Sequence, residues 1–107
     1  MFSELRQGDI LRIERISHPV LIVSKDFFNS SGEIIGCPIY DKSTMSPLHI
    51  YISTDEMHGY VQCEKLALLD LNIRGHKRIG RIVINDMMNI ADAIQGIFDY
   101  IVWQGKI

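Results

Sequence analysis

The stretch ISHPVLIVSKDFFN, residues 16–29, decides how this chain is read. Pro19 to Val23 is an unbroken apolar run rich in β-branched side chains. Such a run fits a strand buried at the centre of a sheet, and proline is tolerated where a strand begins. His18 stands at the mouth of that strand. It is either a group for acid–base chemistry or a strand-mouth residue hydrogen-bonded to backbone.

Outward from this stretch the chain is punctuated by short strands. On its N-terminal side, GDILRIERI (8–16) alternates Leu11 and Ile13 with Arg12 and Glu14, the pattern of a half-buried strand. On its C-terminal side, KDFFNSSGE reads as a turn, IIGCPIY (34–40) as a third strand and DKSTMSP as a polar loop. LHIYIS (48–53) reads as a fourth strand, with Leu48, Ile50 and Ile52 on one face and His49 and Tyr51 on the other. YVQCEKLALLDL (60–71) reads as one longer, bent fifth strand. NIRGHKR reads as a basic turn around Gly75, and IGRIVI as a short last strand.

The period then changes. Met87, Ile90, Ala91, Ile94, Ile97, Phe98 and Ile101 recur at three- and four-residue steps, and Asn85 or Asp86 supplies a cap. This predicts an amphipathic helix from about Asp86 to about Val102. Gly96 inside it costs roughly 1 kcal/mol against alanine, which a close helix–sheet contact would justify. The fold class expected is mainly β with a C-terminal helix: short antiparallel strands closing into a small barrel. The expected organisation is a single domain over residues 1–107, with the barrel at about 7–84 and the helix at about 86–102.

Composition narrows the function classes. The chain has 107 residues, 47% apolar and 22% charged, which suits one folded core rather than disorder. A net charge of −2 gives no bulk affinity for nucleic acid, so any such contact needs a local patch. Cys37 and Cys63 lie inside apolar runs and read as reduced, buried thiols rather than a disulfide. No run approaches the ~20 apolar residues of a membrane span, and MFSELRQGDI has no signal-peptide character, so the expected location is the cytoplasm with no membrane partner. His49, His58, His76 and the cysteines show no close-spaced ligand pair, and no phosphate-binding glycine motif occurs. No metal or cofactor is expected.

Taken in order from residue 7 to about residue 100, QGDILRI, HPVLIVSKDFFN, IIGCPI, PLHIYI, GYVQCEKLALLDL, RIGRI and MMNIADAI resemble the MazF/PemK toxin family. The resemblance implies an SH3-like barrel with a C-terminal helix, working as a homodimer. It also implies metal-independent cleavage of single-stranded mRNA and neutralisation by a cognate antitoxin. That partner would be a segment disordered when free that lies across the dimer groove.

Metal-free RNA cleavage sends the ribose 2′-OH against the adjacent phosphate. It needs a base for the 2′ proton, an acid for the leaving 5′ oxygen, and donors or cations for the developing charge. The family generally places an arginine before the strand-two proline and a threonine after the strand-three Pro-Val/Ile, and some members add an Arg-Cys-Asp segment. Here those positions hold His18, Tyr40 and Gln62-Cys63-Glu64. The long loop between the first two strands is cut to a few residues around Ile16 and Ser17. Ala67 and Leu68 replace a later Arg-containing segment, of which Asp70 remains.

The catalytic candidates are therefore His18, Tyr40, Glu64 and Gln62, expected to meet in one groove. Histidine titrates in the neutral range, which suits acid–base work. Tyr40 could donate to phosphate or stack on a base. Gln62 and Glu64 are expected on one strand face with Cys63 opposite. Each has a bland alternative: a strand-end aromatic, or a solvated strand face. The RNA-binding candidates are Arg74, His76 and Lys77 of RGHKR, and Lys42, Ser43 and Thr44 of the loop after Tyr40. Either group could equally be solvent-exposed polar loop. Asp9 reads as a turn carboxylate rather than a catalyst.

Two other functions remain open. One is a non-catalytic MazF-like binding module. The other is a toxin acting on gyrase, because Trp103, Gly105 and Ile107 loosely resemble the Trp-Gly-Ile end of the gyrase poison CcdB. The competing reading has Trp103 closing the last helical turn onto the core.

Overall fold

The computed structural model describes residues 4–99. Its elements are β1 (Asp9–Ile13), β2 (Val20–Ile22), α1 (Asp26–Asn29), β3 (Glu33–Tyr40), β4 (His49–Ser53), β5 (His58–Gln62), β6 (Ala67–Asp70), β7 (His76–Arg81) and α2 (Ile84–Phe98). The strands pair antiparallel in the order β4-β5-β3-β2-β1-β7, with β6 also on β3. The sheet curls into a half-barrel, and α2 packs on the core that it encloses.

The unbroken apolar run of β2 follows from burial on both faces. Leu21 joins Ile10, Cys37, Ile39, Ile52, Val61 and Cys63 in one core cluster, together with Met87 and Ile90 of α2. Val20 and Ile22 join Leu5, Leu11, Ile13, Ile34 and Leu71 in a second. Successive strand side chains point to opposite faces, so β1 and β2 both serve the two clusters; β2 is buried throughout, and β1 leaves only Arg12 exposed. Burying each such side chain contributes about 1.5–3 kcal/mol.

The expected fifth strand is two strands on one edge of β3. β5 pairs Val61 with Ile39 and Tyr60 with Tyr40, whereas β6 pairs Ala67 with Gly36 and Asp70 with Glu33. Between them the chain turns, with the Lys65 N–H donating to the Gln62 carbonyl at 3.1 Å. Glu64 thus lies in a turn, outside any strand, and the alternation expected for Gln62 and Glu64 does not apply. Gly59 lets β5 cross tightly over β3: a Cβ there would stand 2.8 Å from Ile39 Cγ2 and 2.9 Å from the Tyr40 carbonyl oxygen.

Three other expectations are corrected. KDFFNSSGE contains the helical turn α1. His76, Lys77 and Arg78 are not turn residues but open β7, opposite Ile13, Arg12 and Leu11 of β1. α2 begins at Ile84 after an extended Val83 without a side-chain cap, so Asn85 and Asp86 lie in its first turn. There the Asp86 carboxylate suits the positive end of the helix dipole. The helix gives way at Asp99, which is extended. Its expected extension to Val102 and the Trp103, Gly105 and Ile107 tail lie mostly or wholly outside the described residues. A Cβ added at Gly96 would meet nothing within 4 Å, so no close contact explains this glycine. Among the described residues, no helix is long and apolar enough to cross a membrane.

Candidate functional site

His18 is placed by the tight link between β1 and β2. The Ile16 N–H donates to the Ile13 carbonyl at 3.1 Å, and Arg15 takes a left-handed φ of 69° to close the turn. Such a backbone is uncommon for a residue with a side chain. The Ile39 N–H donates to the Pro19 carbonyl at 2.9 Å, which seats the start of β2 beside the end of β3. That bond brings His18 to Tyr40: their rings meet edge-on at 4.9 Å and 70°. The Lys65 ammonium stands 5.1 Å from the centre of the Tyr40 ring, a cation–π geometry.

His18 and Tyr40 form a wall shared by two grooves. The first, about 600 Å³, is also lined by Arg12, His58, Lys77 and Arg78 and by the carboxylates of Asp41 and Glu56. The second, about 490 Å³, adds Arg15, Lys65 and Arg74 over an apolar floor and has no carboxylate in its lining. His18 Nδ1 lies 3.2 Å from the Pro19 carbonyl oxygen. A carbonyl only accepts, so this nitrogen carries a proton, which in the neutral ring leaves the lone pair on Nε2.

Glu64 is not beside His18. Its Oε2 is 2.8 Å from His49 Nε2, and His49 Nδ1 in turn lies 2.8 Å from the Thr44 carbonyl and 2.7 Å from Ser43 Oγ. These contacts hold the β3–β4 loop down against the turn after β5. The hydrogen bond to Glu64, then that to the Thr44 carbonyl, raise the His49 pKa above its ordinary value. The same hydrogen bond from His49 lowers that of Glu64. Although Ser43, His49 and Glu64 look like a nucleophile triad, the Thr44 carbonyl requires a proton on Nδ1. His49 therefore has no lone pair with which to activate Ser43.

The other expected residues divide in the same way. Gln62 faces outward beside His49 in the β4–β5 register, and it lines neither groove. Lys42, Ser43 and Thr44 line neither groove, since Ser43 and Thr44 are engaged with His49. Lys77 lines the first groove and Arg74 the second. His76 lies elsewhere on β7, its Nδ1 3.2 Å from the Arg74 carbonyl. Asp9 is buried and takes a 2.7 Å contact from Arg81 Nε and a 3.1 Å bond from the Arg6 N–H, a joint between β1 and β7.

Sequence reading missed His58, Lys65, Arg12 and Arg15. His58 and Lys65 could have been found only by knowing how β5 and the following turn lie on β3. Both cysteines are reduced; burial pushes Cys37 up to about 12 and Cys63 to about 11, so neither is a nucleophile near neutrality. No group of three or more metal-ligating side chains occurs among the described residues.

A family model described as PemK-like, MazF-like toxin of type II toxin–antitoxin systems matches residues 7–98. No curated protein matches the sequence significantly. Similar solved structures include a MazE–MazF complex from Deinococcus radiodurans, at 14% identity and a TM-score of 0.80, covering 88% of this chain and 95% of that one. An endoribonuclease with its cognate antitoxin from a mycobacterial species is similar at 18% identity and a TM-score of 0.77, covering 88% of this chain and 94% of that one. A mycobacterial endoribonuclease is similar at 20% identity and a TM-score of 0.77, covering 88% of this chain and 90% of that one. At such identities the likeness to these structures is one of fold.

Proposed function

This chain belongs to the PemK-like, MazF-like toxins of type II toxin–antitoxin systems, and on that premise we propose that it is a metal-independent endoribonuclease acting on single-stranded RNA. The observation that carries the proposal is the first groove. It joins two imidazoles, His18 and His58, with Tyr40 and the cations Arg12, Lys77 and Arg78. Metal-free transesterification needs that set: a base, an acid and a positively charged cradle.

In this reading His18 Nε2 takes the proton from the 2′-OH as its oxygen bonds to phosphorus. The bond from phosphorus to the 5′ oxygen breaks, and the His58 imidazolium gives that oxygen a proton. The products are a 2′,3′-cyclic phosphate and a free 5′-OH. The Tyr40 hydroxyl and the guanidinium groups donate to the phosphate oxygens as charge builds. Glu64, engaged with His49, has no part in the step.

The active form is proposed as a homodimer, bound and silenced by a cognate antitoxin; in support, similar structures are a MazE–MazF pair and an endoribonuclease in complex with its cognate antitoxin. A second reading, a binding module without catalysis, is favoured by one observation: the carboxylate expected to orient His18 is committed to His49. Incubation with a long single-stranded RNA in EDTA separates the two. We expect discrete cuts ending in 2′,3′-cyclic phosphate, with His18→Ala lowering the rate about 10²–10⁴-fold. No cuts from folded wild-type protein would leave the binding module.

A further inference from the structure

The outer face of the sheet carries a row of rings leading away from His18. Tyr40 of β3 lies directly across from Tyr60 of β5, and Tyr60 directly across from Tyr51 of β4. Residues opposite each other on neighbouring strands share a face. Their chain neighbours Ile39, Val61 and Ile52 are buried in the barrel, so the tyrosines stand on the outside. The Tyr51 and Tyr60 rings meet at 5.3 Å and 61°, and Tyr51 is 52% exposed. At the other end His18 abuts Tyr40. The three tyrosines sit on three neighbouring strands and His18 continues the row, so four rings span three intervals, about 15 Å at ordinary strand spacing. None of the three tyrosines belongs to either core cluster. A merely solvated face would carry polar side chains.

We infer that this row is a stacking platform for the bases of single-stranded RNA. Tyr60 and Tyr51 take bases next to the one at Tyr40. The occupant follows from what flanks the row. It is continuous with the groove of His18, and cations stand beside it: Lys65 over Tyr40, and Lys77 and Arg78 in the groove wall. Rings for bases and cations for phosphates are the two halves of single-strand recognition. The inference rests on the ribonuclease reading for its ligand. The platform itself needs no cleavage to bind.

The test uses an RNA octamer whose 2′ oxygens are methylated and which therefore cannot be cut. Its affinity is followed by fluorescence anisotropy across a salt series. Tyr51→Leu and Tyr60→Leu should each weaken binding about 5- to 150-fold, the range for loss of one base-stacking ring. Neither removes a charge, so the slope of log K against log salt should stay at the wild-type value. Lys77→Ala should instead flatten that slope by about 0.7. Tyr51→Phe should stay within about twofold of wild type. The platform is overturned if the leucine variants bind as wild type, if Tyr51→Phe loses as much as Tyr51→Leu, or if wild-type protein binds no octamer and Tyr51 serves an antitoxin segment instead. Ring-dependent binding without cleavage of unmodified RNA would sink the ribonuclease chemistry and keep the platform. Cleavage with unaltered binding by both leucine variants would do the reverse.

Discussion

Asn29 shows what one side chain decides. It is fully buried, its Nδ2 donates to the Leu5 carbonyl at 3.2 Å and the Ser24 carbonyl at 3.0 Å, and its Oδ1 accepts from the Ser24 hydroxyl. It thereby ties the N-terminal segment, the end of β2 and α1 together. Asn29→Ala would leave buried acceptors unpaired, so we expect a loss of about 2–3 kcal/mol, read as a lower urea midpoint with an unchanged slope. His49 makes a pH-dependent clip. Its raised pKa gives stability that is present below the ordinary histidine value and lost as pH rises through the raised one. The lowered Glu64 pKa gives stability that is present above the ordinary glutamate value and lost as pH falls through the lowered one. The clip is complete between the ordinary carboxylate and imidazole ranges. The difference in urea midpoint between wild type and Glu64→Gln should be largest there and shrink on the alkaline side. A difference that kept growing as pH rose above the ordinary imidazole range would refute the clip. In the sequence, Asn29 was visible only as part of a family motif, and His49 as a polar residue on an alternating strand. Their partners lie 24 and 15 residues away, at Leu5 and Glu64.

At the scale of elements, α2 is held by one stripe. Met87 and Ile90 are buried, and Ala91, Ala93 and Ile94 pack beside them, while Phe98 is exposed. Gly96 lies beyond the end of that stripe, exposed and in open space. Gly96→Ala should therefore stabilise the fold by about 0.5–1 kcal/mol, visible as a raised thermal midpoint. A loss would mean that the position is covered in the working assembly. The stripe itself was legible because its period belongs to one face of one element. The break between β5 and β6 was not. Both strands run along the same edge of β3, so the apolar pattern continues through the turn with no glycine or proline to mark it.

For the whole molecule, the two core clusters share β1 and β2 as their common wall. Neither cluster can open without exposing a face of those strands. We expect a single cooperative unfolding transition, with far-ultraviolet and near-ultraviolet circular dichroism superimposing in urea. Two separated transitions would mean that the clusters melt independently. The groove depends on the same wall. The Ile39 N–H to Pro19 carbonyl bond that joins β2 to β3 is also what sets His18 against Tyr40.

The sequence by itself determined the class of fold, since the periods of two and of three to four are local, and each element's buried face is written in its own residues. It also marked His18 and Tyr40, through their place in an ordered set of motifs. Which groups stand beside them was decided only by tertiary structure. Strand pairing brings His58 and Lys77 to the groove and aligns Tyr40, Tyr60 and Tyr51 across three strands. It also gives Glu64 to His49. Those neighbours are set by register between distant segments, and no local pattern encodes the register.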